Sequence, residues 1–342
     1  MPVGLESSDR APHHTRVSGA PKTGAAVATT DVSRGEAIAL LVVGNALWAG
    51  TYVAGKTVLG CLSFVELNAL RFSLATVLLI PVLWSGRALL ARELRNPASL
   101  RQLIRLLLLG FVLNKAFEYA GLALSTAVDV ALLIATEGIF TALLSWIVLD
   151  EPVTAEGIAA LVGGTAGVWL VVARGLVPDL SGPGGVWRII GDLFVVLALL
   201  FEAGYTVTGK ASLERLPPLL LTTVSVAGSL IVWIPAAAIT VAVSGRPAMT
   251  PAAWVSVGYM AAFATVAGYW MWFRALSAVD GSFAAPFLFI QPLLGAALGV
   301  VLLGETITWA TIAGALLIVL SLGLVTLGAR NAGEELVVEP PA

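Results

Sequence analysis

Residues 48–56 read Trp48-Ala-Gly-Thr-Tyr-Val-Ala-Gly-Lys56, and residues 202–210 read Glu202-Ala-Gly-Tyr-Thr-Val-Thr-Gly-Lys210. Lys56 and Lys210, like every other pair in the two stretches, are 154 positions apart. The offset returns downstream, where Asp150-Glu151-Pro-Val-Thr154 meets Gly304-Glu305-Thr-Ile-Thr308. Leu59/Leu213, Leu122/Leu276 and Ile158/Ile312 keep it without a gap. Apolar matches carry little weight in such a chain, but matched Gly, Lys and Glu at both ends of one offset do. A duplicated apolar unit is a sequence signature of many transporters. Within the repeated stretch one difference is conspicuous: Trp48 stands where the second copy has Glu202.

Composition places the chain in a membrane. Of 342 residues, 58% are hydrophobic and 12% charged, with mean hydropathy +0.94, whereas a soluble domain carries about 25% charged residues. A net charge of −2 offers nucleic acid no basic face. Cys61 is the single cysteine and the histidines are His13 and His14. That inventory excludes an internal disulfide, a cysteine metal cluster and a histidine-based triad, and no cofactor is expected.

Residues 1–34 are polar and without hydrophobic period, and are expected to be a disordered tail. Ten apolar runs follow, at 37–57, 64–84, 103–122, 127–149, 155–174, 188–210, 218–243, 253–273, 281–303 and 307–328. Each is near the 20 residues a helix needs to cross a bilayer, and none alternates as a barrel strand would. The expected fold is therefore all-α and integral to the membrane: ten transmembrane helices as two inverted five-helix repeats. Repeat one covers 35–174, a linker 175–187, repeat two 188–329, and a second tail 330–342. With the N-terminus inside, thirteen Lys and Arg fall on inner segments and four on outer ones, which places both termini in the cytoplasm. Five is odd, so the second repeat enters upside down, the arrangement behind alternating access.

The W-A-G-x-x-x-x-G-K first helix and Leu70-Arg71-Phe72 of the second resemble the drug/metabolite transporter superfamily, in its EamA-type branch. So do Ile134-Ala-Thr-Glu137 through Leu149-Asp-Glu151 and their echo, Ile290-Gln-Pro292 through Leu303-Gly-Glu305. The resemblance covers roughly residues 36–330. It implies export or import of small metabolites, amino acids or drugs, and a central cavity lined mainly by the first, third, fourth, sixth, eighth and ninth helices.

Charges within the apolar runs need a reason, because each costs about 2.5–3.5 kcal/mol at the bilayer centre on insertion scales. Lys56 and Lys210 sit at span ends and are expected to snorkel to the surfaces. Glu151 and Glu305 precede Thr154 and Thr308 and read as caps of the helices that follow. Arg71 reads as a packing residue, while Glu66 and Asp129, near outer ends, read as wet. Asn114, Lys115 and Glu118 lie midway along the third helix. Lys115 and Glu118, three apart, are neighbours, either a neutralised structural pair or a clamp for the two charges of a zwitterion. Glu137 in the fourth helix has Gln291 as its counterpart, which pairs one titratable group with one fixed amide. Glu137 is thus either a proton carrier or a structural hydrogen-bond partner.

Glu202, with Thr206 and Lys210 at successive turns, resembles the first helix of the small multidrug resistance proteins. That implies a carboxylate that holds either a proton or a cation. The competing reading is an ion pair with Lys115 or Arg71. Tyr259, Phe263 and Trp270 fall on one helical face, which is either packing or an aromatic wall, and Trp48 and Tyr205 are expected beside it. The expected function is a secondary active carrier of a small metabolite, amino acid-like or a cationic or aromatic compound, across the cytoplasmic membrane, as an exporter. Glu202 and Glu137 would couple it to protons, and the protein would be a monomer or homodimer. Gly163-Gly-Thr-Ala-Gly167 has no P-loop lysine, so ATP drive is not expected. A passive channel or facilitator and an intramembrane enzyme are the alternatives.

Overall fold

Side-chain oxygens set where the helices begin. Ser33 caps α1 (Arg34–Leu59), accepting the Glu36 N–H at 3.2 Å. Ser63 and Glu66 cap α2 (Phe64–Leu78) reciprocally, at 2.9 and 3.3 Å; Glu66 is a capping-box residue rather than a merely wet one. Thr126 caps α5 (Ala127–Ile134), Thr250 caps α9 (Pro251–Ala275) and Thr308 caps α11 (Trp309–Glu335).

The computed structural model describes residues 32–335 apart from 138, 141–142, 145–146, 148–154, 178–183, 214, 246–247, 277–286 and 289. The tail 1–31, residues 336–342, Glu151 and Thr154 lie outside the described residues, as does the side chain of Lys210. The remaining helices are α3 (Ile80–Arg95), α4 (Pro97–Leu124), α6 (Ala155–Ala173), α7 (Gly185–Leu213), α8 (Pro218–Ser244) and α10 (Ile290–Leu303). Among the described residues there are eleven helices and no strand. Four of them, α1, α4, α8 and α9, are each long and apolar enough to cross a membrane.

Two expected spans are interrupted. The 64–84 run divides at Leu79 into α2 and α3, bent by 77°. Pro81, in the first turn of α3, has no N–H to continue the α2 ladder, so the helix restarts there. The 127–149 run stops at Ile134, turns through Ala135–Thr136 and resumes, with Phe140 N–H bonding to Thr136 O at 3.2 Å. The Thr136 hydroxyl takes the Leu133 carbonyl at 2.7 Å, a local bond that competes with the helical ladder. Its place in the second repeat is close to Phe287–Leu288, a short 3₁₀ turn ahead of α10.

Packing repeats at the sequence offset. α1 lies against α9, and α7, its image, lies against α4. In the second pair Gly121 and Gly191 cross so closely that an added Cβ on either meets the other's carbonyl at 2.6–2.8 Å. Their images, Ala275 and Ala37, are both fully buried in one cluster with Leu41. The pairs α2/α8, α5/α10 and α6/α11 each join one repeat to the other.

α4 and α9 also share a distortion. Leu108–Leu113 and Met260–Ala267 are π-helical, and shifting the first by 154 places it inside the second. Each wider turn presents a carbonyl that an indole N–H from the other repeat occupies. Trp233 donates to Phe111 O at 2.9 Å, and Trp48 to Ala264 O at 2.8 Å.

Candidate functional site

Between the two repeats lies a cavity of about 480 Å³, within the range of small-ligand sites. α1 supplies Trp48, α4 supplies Asn114, Lys115 and Glu118, and the resumed turn after α5 supplies Glu137. From the second repeat α7 supplies Glu202, Tyr205 and Thr206, α9 supplies Tyr269, Trp272 and Phe273, and α10 supplies Gln291. Nine of the twelve residues singled out from sequence therefore meet around one space. α2 and α8 also reach it, through Arg71 and Thr222.

Tyr259, Phe263 and Trp270 do not line it. Tyr259 donates to Leu47 O at 2.6 Å and stacks on Phe263, while Phe263 and Trp270 are about half exposed on the outer surface. Tyr259 and Phe263 do share a face, as the 3.6-residue spacing predicts, but that face, like Trp270, lies away from the cavity; the spacing gives a common face and not its direction. Tyr269, Trp272 and Phe273 face inward instead. Tyr269 and Trp272 pack against Trp48 with ring centroids 5.4 and 5.8 Å away. Periodicity alone does not say which face of α9 meets the other repeat, so the sequence does not single out this aromatic group.

The charges differ in how they are held. Lys115 Nζ lies 2.5 Å from Glu118 Oε2, so the two charges offered as a clamp neutralise each other. Arg71 is buried, donates from Nε to Thr265 Oγ1 at 3.1 Å and from a terminal nitrogen to the Tyr119 hydroxyl, and sits over the Phe72 and Tyr119 rings. Gln291 donates to Asn45 Oδ1 at 2.9 Å, and Asn114 donates to Ala198 O at 3.0 Å while its Oδ1 has no partner among the described residues. Among the described contacts Glu137 and Glu202 accept no hydrogen bond. Each lies in the field of Lys115 and Glu118, and Glu137 also in that of Glu202.

The cavity reaches the surface at exposed residues. Exposed Thr206 and Leu288 border it, and its lining extends to Gly209 and Pro218, near the α7–α8 turn. Outside the cavity lining, the start of α7 is joined to the first repeat by buried charge. Asp129 is not wet but fully buried, held by Arg174 at 2.7 Å and Arg188 at 3.3 Å. Arg188 also binds Asp192 at 2.9 Å and Val172 O at 2.9 Å, and Ser125 donates to Asp192. Lys56 does not snorkel outward; its ammonium donates to the Leu122 carbonyl at 2.8 Å and to that of Ser125, at the α4 C-terminus, where a cation is favoured. Glu305 caps α5, not the helix after it, accepting the Ala127 and Val128 N–H groups at 2.9 and 2.8 Å.

Comparisons with known proteins bear on the fold and the family. A solved structure titled "Crystal structure of protein" superposes with a TM-score of 0.57 at 21% identity, over 88% of this chain and 99% of that one, a likeness of fold alone. An uncharacterized transporter of Archaeoglobus fulgidus is 27% identical over 84% of this chain and 96% of its own. The uncharacterized transporter YyaM of Bacillus subtilis is 25% identical over 75% and 83%. The model of the EamA-like transporter family matches twice, at residues 35–173 and 189–327. With two matches that together span most of its length, the chain belongs to the EamA-like transporter family, whose members move small molecules across membranes.

Proposed function

We propose that the protein is a secondary active carrier that exports a small metabolite across the cytoplasmic membrane by alternating access, coupled to protons at Glu202 and Glu137. The frame for this reading is ten transmembrane helices in two inverted five-helix repeats, with both termini in the cytoplasm. The observation that carries it is the cavity: it draws on both repeats and gathers Lys115, Glu118, Glu137 and Glu202 around one space. Inverted-repeat carriers hold their solute midway between the halves and rock about it. The helix interrupted beside the cavity at Ala135–Thr136 fits that scheme, because irregular backbone is tolerated in lipid where it lines a cavity.

A thermal-shift screen of purified protein against amino acids, nucleosides and cationic dyes identifies a ligand, since binding the folded state raises its apparent stability. Counterflow in proteoliposomes then tests the carrier itself. Saturable flux, accelerated by solute on the far side, is expected. Flux that never saturates would mean a channel, and product formation an enzyme.

A further inference from the structure

Five arginines crowd one bend of the chain. Arg87, Arg92 and Arg95 lie on α3, Arg101 and Arg105 on the first turns of α4, and residues 80–108 contain one acid, Glu93. Glu93 is buried and faces Arg215 at 3.5 Å, so it neutralises a cation from outside the bend. All five arginines are exposed, and none makes an ion pair among the described residues. Their contacts are local: Arg87 donates to Trp84 O at 2.7 Å and stands over its ring, and Arg101 donates to Pro97 O at 3.3 Å.

The two faces of α3 differ in kind. Val82, Gly86, Leu89 and Glu93 recur at helical spacing and form the face the protein holds. Val82 and Leu89 pack with Leu220 and Leu221, and a Cβ on Gly86 would meet Leu220 at 2.6 Å. Ile80, Trp84, Arg87, Ala91 and Leu94 form the opposite face, and all of them are exposed. The start of α4 repeats the pattern, with exposed Leu100, Ile104 and Leu108 beside exposed Arg101 and Arg105. A surface that presents large apolar groups and arginines side by side suits neither water nor hydrocarbon alone. It fits the boundary between them. The direction of α3 agrees. α2 packs along α8, one of the helices long and apolar enough to span, and α3 leaves α2 at 77°, which turns it along the bilayer surface.

We propose that α3 and the first turns of α4 form an elbow that lies in the bilayer interface and binds anionic phospholipid headgroups. Guanidinium groups pair bidentately with phosphate oxygens, while Trp84, Ile80 and Leu94 reach the acyl boundary beneath them. A phosphatidylcholine headgroup offers the same phosphate but carries its own trimethylammonium, so it leaves the charge of the elbow unbalanced. An acidic peptide or a free phosphate matches the charge but brings nothing for the exposed apolar side chains. The elbow lies outside the cavity lining, so this binding is independent of what the cavity carries.

The full chain in mixed micelles is offered phosphatidylglycerol and phosphatidylcholine of the same acyl length, and the lipid that stays bound after washing is counted by mass spectrometry. Wild type is expected to enrich phosphatidylglycerol, and to do so less at high salt, which screens exposed charges. Arg92→Gln and Arg105→Gln are each expected to reduce that enrichment about fivefold. Combined with Arg87→Gln, Arg95→Gln and Arg101→Gln they are expected to abolish it. The same five positions changed to Lys keep the charge and are expected to keep the preference, which separates lost charge from lost fold. Soluble glycerol phosphate and an oligoglutamate peptide, added as competitors, are expected to displace no lipid. Equal retention of the two lipids by wild type, or undiminished enrichment in the protein with all five Gln changes, would overturn the proposal. So would displacement by glycerol phosphate, which would make the elbow a soluble-anion site, or by oligoglutamate, which would make it a protein-docking surface.

Discussion

Trp48 and Glu202 occupy the same place in the two repeats and face the same cavity, yet their polar atoms are used differently. The Trp48 indole N–H is bound to Ala264 O at 2.8 Å, whereas Glu202, on the opposite repeat, accepts no hydrogen bond among the described contacts. A repeat that duplicates its scaffold has here left one wall fixed and the other chargeable.

Trp48→Phe separates these roles. It keeps the ring but leaves Ala264 O unpaired at the π segment, and losing a buried partner costs about 1–3 kcal/mol. Thermal unfolding in detergent is expected to show that loss. Exchange is expected to continue with its proton coupling intact, measured with a pH dye inside the vesicles.

The Lys115–Glu118 bond is expected to be structural. Removing one partner of a buried pair costs about 3–5 kcal/mol, and replacing both by apolar residues recovers most of it. Lys115→Met should therefore lower the unfolding temperature sharply, and Lys115→Met with Glu118→Met should restore it. If Lys115→Met is as stable as wild type, the pair is not holding the two residues.

Glu305 joins the repeats through two N–H groups at the start of α5. Glu305→Ala removes a charged cap, a loss of about 0.5–2 kcal/mol, and should be read as faster hydrogen exchange at Ala127 and Val128. Thr308→Ala, which uncaps α11 instead, is expected to leave those two amides unchanged.

The Gly121–Gly191 crossing tolerates no side chain. With each added Cβ 2.6–2.8 Å from the opposite carbonyl, Gly121→Val is expected to push α4 from α7 and cost roughly 1–3 kcal/mol, the range for overpacking. Ala275→Gly at the image position removes only a methyl and is expected to cost about 1 kcal/mol. Unfolding of the two variants side by side checks the asymmetry.

Much of this was legible because it rests on period and spacing. The duplicated stretch marked α1 and α7, and the mid-span positions of Lys115, Glu118, Glu137 and Glu202 brought them to one cavity. What escaped has a common physical cause. Periodicity groups residues of α9 on one face but does not say which face meets the other repeat, so Tyr259, Phe263 and Trp270 lie away from the cavity and Tyr269, Trp272 and Phe273 line it. Lys56, Asp129 and Glu305 sat at span ends, where a linear reading sees water or the next helix. Their partners, Leu122 O, Arg174 and Ala127 N, come from elsewhere in the chain, and only tertiary packing brings them together.

The most direct test is pH-driven exchange in proteoliposomes made with wild type and with Glu202→Gln, after both variants are shown to unfold at similar temperatures. An outward proton gradient should drive uptake of a ligand found in the thermal-shift screen by wild type, and Glu202→Gln should lose that response. Proton-driven uptake of equal size in the Glu202→Gln protein would contradict the assignment of coupling to this residue.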